Sequence, residues 1–181
     1  MKRQVFFSFH YANDVWRVGQ IRNIGTIEGQ EIFSDNGWEK VRLKNDDKIK
    51  EWIDKELNMR TCVIVLIGSE TASRKWVKYE IEQAWKRGKG SVGIYINKLK
   101  NSQGEQGKKG ENPFQHFCVD KTFNYIVQNG TPADKNEINL SIICKTYDSP
   151  YYGSEYVYND IKDNIEALIE EAIEIRNKYP K

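Results

Sequence analysis

Ser73-Arg-Lys-Trp-Val-Lys-Tyr-Glu-Ile-Glu-Gln-Ala-Trp-Lys-Arg-Gly-Lys-Gly90 follows, after a short polar turn, the most hydrophobic run of the chain, Cys62-Val-Ile-Val-Leu-Ile-Gly68. A buried strand, a turn and an amphipathic helix is the unit with which an open α/β sheet presents side chains at its carboxyl edge. Trp76 and Glu80 are four apart, so they lie one above the other near the start of that helix. A carboxylate beside an aromatic, close to strand ends, marks a place for function. The alternative is a core tryptophan and a solvated acid. Glu82, two positions on, is turned by about 200° and aims at solvent. Ser73 is the expected N-cap, and Lys86-Arg87-Gly88 puts cations in the last turn with a glycine just beyond it. Lys78, Lys86, Arg87 and Lys89 read as a solvated basic face rather than a phosphate clamp.

Outward from this unit the same rhythm repeats. Gln4-Val-Phe-Phe-Ser-Phe-His10 is aromatic and β-branched, a first strand whose polar end, Ser8 to Tyr11, falls at the sheet's carboxyl edge. Asn13-Asp14 offers an N-cap for a helix carrying Val15, Val18, Ile21 and Ile24. Glu31-Ile-Phe33 is a weaker strand, followed by the Ser34–Trp38 loop with its Asn-Gly turn. Asn45-Asp46-Asp47 caps a helix with Ile49, Trp52, Ile53 and Leu57 inward. Thr61 to Ile67 is apolar throughout, as a strand buried on both faces must be. Ser91 to Ile96 is the next strand. This alternation specifies a parallel, right-handed βαβ sheet.

Beyond Asn97 the rhythm breaks. Lys98 to Asn112 is rich in Lys, Gly, Gln and Asn and reads as a flexible surface loop. Weak strand candidates at 122–127 and 138–142 are split by Asn129-Gly130 and Pro132. Ile142 to Tyr147 reads as the last sheet strand, and Asp160 as the cap of a closing helix over about 159–178. The expectation is an α/β fold with five strands and four or five helices on both faces, in one domain over 1–181 whose variable insertion covers about 98–140.

Composition excludes several function classes. In 181 residues, a net charge of +2 gives no electrostatic case for nucleic acid or an anionic membrane. The longest apolar run is far short of the roughly 20 residues that span a bilayer. Lys2 and Arg3 lead directly into strand-like sequence, so no signal peptide is expected. Three widely spaced cysteines, Cys62, Cys118 and Cys144, suit a reducing compartment, and a cytoplasmic location is expected. With only His10 and His116, a multi-histidine metal site is not expected. There is no P-loop, no Gly-x-Gly-x-x-Gly after the first strand and no Gly-x-Ser-x-Gly elbow. The Gly104–Gly110 stretch lacks a helix behind it for phosphate binding. A receiver domain would need an acidic cluster where Ser8 and His10 stand.

Phe-Phe-Ser-Phe-His-Tyr (6–11), Ile-Gly-Ser-Glu-Thr (67–71), Arg-Lys-Trp-Val-Lys-Tyr-Glu-Ile (74–81), Gly-Ile-Tyr-Ile-Asn (93–97) and Asn-Pro-Phe (112–114) occur in register. Together they resemble the TIR-domain family, in its bacterial branch typified by Thoeris anti-phage systems. The resemblance covers roughly residues 1–117. It implies a flavodoxin-like three-layer sandwich that uses NAD as substrate without a resident cofactor or metal. It further implies cleavage of the nicotinamide–ribose bond to give an ADP-ribose-derived, cyclic signal for a separate effector, and self-association through TIR surfaces.

That chemistry suits the residues. Nicotinamide leaves a cationic glycosyl bond as a neutral molecule, so no strong acid is needed, while a fixed carboxylate stabilises the oxocarbenium-like transition state. Glu80 is assigned that role. Trp76 either walls the substrate pocket or anchors the helix. Ser8 and His10 are placed to bind ribose or phosphate, against plain roles as a strand-end cap and a loop histidine. Phe9 and Tyr11 are candidates to stack on a base, with core packing the alternative for Phe9. Asp35 is a candidate in the loop after the second strand, where turn formation competes. Two other classes remain open: a non-catalytic TIR-like assembly module, and a nucleoside-cleaving enzyme of the same fold.

Overall fold

The computed structural model describes residues 2–29, 45–123 and 125–180. Five strands form an all-parallel central sheet: β1 (Arg3–Ser8), β2 (Ile27–Gly29), β3 (Cys62–Ile67), β4 (Gly90–Tyr95) and β8 (Thr146–Tyr147). Their order across the sheet is β2-β1-β3-β4-β8. This is the flavodoxin-like order, with β1 flanked by strands that both come later in the chain, so the connections leave to opposite faces and open a crevice above β1 and β3. The α/β three-layer expectation therefore holds, and the sheet is parallel throughout.

Strand alternation divides the core in two. Val5 and Phe7 of β1, with Cys62, Ile64 and Leu66 of β3, face α1 (Tyr11–Arg22) and α5 (Ser154–Asn177). Phe6, Val63, Val65 and Ile67 face the opposite way, onto α2 (Asp46–Asn58) and α3 (Lys75–Lys86). Every residue of β3 and β4 is buried, which explains their continuous apolar runs. Asn45 caps α2 as its sequence foretells, its side chain accepting from Lys48 N at 3.1 Å. Gly88, just past α3, has φ +67°, the left-handed geometry expected of a glycine there. Nothing lies within 4 Å of a Cβ built at Gly19, inside α1. Gly19→Ala should therefore raise stability by about 1 kcal/mol in a urea titration, through lost freedom of the unfolded chain alone.

Several sequence expectations are corrected. Helix α1 begins at Tyr11, with His10 at the N-cap position, so Asn13 and Asp14 lie inside its first turns. Ser73 does not cap α3: it ends a 3-10 turn (Thr71–Ser73), its hydroxyl donates back to Glu70 O at 2.9 Å, and Arg74 occupies the cap. The sheet's second strand is Ile27–Gly29, while the proposed strand at 31–33 lies outside the described residues. The stretch 142–147 is only partly strand. Asn139 caps a short helix α4 (Leu140–Ile143) by accepting from Ser141 N, and only Thr146 and Tyr147 pair with β4. Helix α5 starts at Ser154, not near 159, with Gly153 at its N-cap, and Asp160 lies inside it, accepting a 2.7 Å hydrogen bond from Tyr147 Oη. The region after the break contains a second, antiparallel sheet of β5 (Cys118–Asp120), β6 (Ile126–Val127) and β7 (Glu137–Asn139), ordered β6-β5-β7. It shares the α2/α3 core through Val119 and Ile126.

The Lys98–Asn112 stretch carries no strand or α-helix, but it is tied down. Arg17 donates to Leu99 O at 2.8 Å and to Glu105 O at 3.1 Å, and Lys109 pairs with Asp148 at 2.8 Å. Among the described residues no helix is long and apolar enough to cross a membrane.

Candidate active site

Strand periodicity and helix periodicity converge on one pair. In β1, residues 6 and 8 share the face toward α2 and α3, so Ser8 points where Phe6 does. In α3 the buried positions are Val77, Glu80, Ile81, Ala84 and Trp85, the spacing of an inward stripe. Glu80 holds a place in that stripe that an apolar residue would ordinarily fill. The two side chains meet: Ser8 Oγ donates to Glu80 Oε2. Ser8 is fully buried and Glu80 is 8% exposed. The meeting point is at the carboxyl end of β1, beside the end of β3, where the connections diverge and doubly wound sheets bind ligands.

Burial pushes the Glu80 carboxyl up to about 8 from its usual 4.5, against the Ser8 hydrogen bond, which favours the charged form. The folded chain thus holds this proton more tightly than the unfolded chain. Stability from Glu80 is complete below pH 4.5 and is lost as pH rises through about 8. Thermal melts from pH 5 to pH 9 should show Glu80→Gln gaining on the parent as pH rises, by roughly 3 kcal/mol at the alkaline end. A constant difference across that range would mean that Glu80 is not desolvated.

Around this pair the other sequence candidates separate. His10 is largely buried, and its Nδ1 has no hydrogen-bond partner and lies 3.7 Å from Glu70 Oε2. Its pKa is lowered, first by burial and then by Arg74, with Glu70 opposing. Glu70 in turn accepts from Asn13 Nδ2 at 2.7 Å and from Arg74 Nη2 at 3.0 Å, closing a polar rim above the strand ends. Phe9 packs with the α1/α5 core, on the sheet face away from Glu80, its ring 6.2 Å from that of Tyr11. Trp76 is half-buried, sets its ring edge-on to Tyr79 at 6.0 Å, and leans on the α2/α3 core. It lines a cavity of about 450 Å³ with Lys50, Ser73, Lys75, Lys78, Tyr79 and Gln128, a set without Glu80. Asp35 lies outside the described residues. Glu82 accepts from Gln128 Nε2 at 2.9 Å and pairs with Lys86 at 2.5 Å, away from the buried stripe.

One group at this edge escaped the sequence reading. Asp14 is buried, its Oδ1 is 3.1 Å from Arg17 Nη1, and its Oδ2 has no hydrogen-bond partner. Burial raises its pKa, with Arg17 opposing. The carboxylate packs so closely on Gly68, at the end of β3, that any Cβ there would collide with it. The available signal was the Asp14–Arg17 spacing of three on a helix whose other inward residues are apolar. Among the described residues no group of three or more His, Cys, Asp or Glu could hold a metal ion.

The arrangement offers one fixed, desolvated carboxyl group with a hydroxyl oriented on it, at the crevice of a doubly wound sheet. Comparison with known proteins points the same way. The family model described as "Thoeris protein ThsB, TIR-like domain" matches residues 6–101. "Putative cyclic ADP-D-ribose synthase ThsB1" of Bacillus cereus (strain MSX-D12) is 36% identical over 122 residues, an alignment covering 65% of this chain and 64% of that protein. A family match that runs from β1 past β4 takes in both halves of the buried pair, and the chain belongs to the TIR-like domain family of Thoeris ThsB proteins.

Proposed function

We propose that the chain cleaves the nicotinamide–ribose bond of NAD and closes the ADP-ribose product into a cyclic signal, in anti-phage defence. The observation that carries this reading is the Glu80 carboxyl, buried in the inward stripe of α3 and bonded by Ser8. The relative's name, a cyclic ADP-D-ribose synthase, supports the choice of substrate and product.

Each residue has a definable task. As the C1′–N bond lengthens, positive charge grows on the ribose ring and nicotinamide departs neutral. An ionised Glu80 facing C1′ and its hydroxyls lowers the energy of that charge, and its effect is large because water is excluded. Ser8 fixes the carboxylate through Oε2, leaving Oε1 for the sugar. Cyclisation needs the freed C1′ to meet a nucleophile of the same molecule before water does, which a dry crevice favours. NAD is the substrate and no resident cofactor takes part. The reading carries with it a cytoplasmic location, self-association through TIR surfaces and a separate effector that receives the signal.

Incubation of the purified chain with NAD, alone and in lysate from infected cells, tests this by mass resolution of products. Free nicotinamide together with a product of cyclic ADP-ribose mass is expected. Intact NAD in both settings would favour a non-catalytic assembly module, and cleavage of free nucleosides instead of NAD would favour the nucleoside-processing class.

A further inference from the structure

Glu80 is a buried acid without a counter-charge among the described residues. Its polar contact among the described residues is the neutral Ser8 hydroxyl, and no lysine, arginine or histidine pairs with it. Glu82, two residues on, pairs with Lys86, and the charged groups about the carboxyl ends of β1 and β3 are engaged with one another. Arg74 pairs with Glu70 at 3.0 Å, His10 faces Glu70, and Asp14 is matched by Arg17. Among the described residues, loss of water raises the proton affinity of Glu80 and the Ser8 hydrogen bond opposes it. An acid in this position is most stable neutral, and it ionises at low cost only when the ligand brings the missing cation.

We propose that this site accepts its ligand by exchanging a proton for a positive charge, so that it selects pyridinium-type cationic ligands and refuses their neutral counterparts. Resting Glu80 holds a proton on its carboxyl. A ligand with a quaternary ring nitrogen enters, the proton passes to solvent, and the carboxylate pairs with the cation. The site's net charge is conserved in the exchange. Selection rests on the desolvation of Glu80, so it discriminates oxidised from reduced nicotinamide rings even though their shapes are close. The inference depends on the NAD reading only for the identity of the larger ligand.

Two cationic probes separate the two ideas: the carbocyclic analogue of NAD, which cannot form the oxocarbenium, and the bare cation 1-methylnicotinamide. NADH and nicotinamide are the neutral controls. Titration calorimetry at pH 7 in two buffers of different ionisation enthalpy should show release of about nine-tenths of a proton per cation bound, given a carboxyl titrating at about 8. The apparent affinity for the cations should tighten about 50-fold from pH 6 to pH 8, since only the ionised form competes. Glu80→Gln should release no proton and lose that dependence, which separates Glu80 from the neighbouring His10. Binding of either cation without proton release, or equal release from Glu80→Gln, overturns the inference. Release with 1-methylnicotinamide while the carbocyclic analogue fails to bind upholds it and removes the NAD reading. Absence of binding by both cations removes both.

Discussion

Glu80→Gln should lower NAD turnover by at least a hundredfold while leaving a folded protein. Glutamine keeps the length and shape of the side chain, and its amide oxygen still accepts from Ser8, so the change isolates the charge. Loss of one preorganised electrostatic partner at a developing charge costs about 3 kcal/mol, roughly a factor of a hundred in rate. The loss should appear in kcat as well as kcat/KM, because the interaction strengthens as charge grows on the ribose. Ser8→Ala should cost less, since a freed carboxylate remains in place but is no longer oriented. The measurement is nicotinamide release, paired with a thermal melt of each variant. Retained turnover in a folded Glu80→Gln protein would take the catalytic role away from this residue.

Gly90→Val should be the most destabilising single substitution of those considered, by about 3 kcal/mol or more. Gly90 opens β4 opposite Cys62 of β3, its N–H donating to Thr61 O at 3.3 Å, and helix α5 lies on it: a Cβ would come within 2.8 Å of Ile173 N and 2.9 Å of Ala172 C. These are backbone atoms in the C-terminal part of a long helix, which cannot swing aside as a side-chain end can. Relief requires α5 to lift from the sheet and surrender part of the contact made by Ile165, Ile169 and Ala172. Overpacking of this kind costs more than an ordinary core methylene, and valine adds two methyl groups to the clash. Urea denaturation reads the effect directly. A midpoint close to that of the parent chain would mean that α5 is not seated on β4 as described.

Local chemistry explains what could be read from the sequence. The run at 61–67 and the capped helix beginning at 46 depend on neighbours a few residues away, and both stand where their patterns place them. Glu80 was legible from its spacing of four to Trp76 and from the family resemblance, whereas its place in the buried stripe of Val77, Ile81, Ala84 and Trp85 emerges only in the structure. Its bond to Ser8 spans 72 residues and follows only once strand order is known. Two misreadings gave acids to helix caps when other partners hold them: Asp160 accepts from Tyr147 of β8, and Asp14 pairs with Arg17 one turn on in its own helix. The β-branched run at 142–147 has strand propensity, but Asn139 starts a helical turn there and only two residues reach β4. The second sheet could not be assembled from strands of two and three residues, whose pairing is decided by the α2/α3 core they cover.

The placement of β1 also governs when the protein can act during its own synthesis. Ser8 is made before both the strand that flanks it, β3, and the helix that supplies Glu80. Until α3 has emerged and docked, no arrangement of the early chain desolvates a carboxyl against that serine. Contacts of such long separation close late in folding. On the proposed function, a ribosome-bound chain halted before residue 75 should therefore release no nicotinamide from NAD. The buried Ser8–Glu80 pair is withheld from unfinished copies by strand order alone.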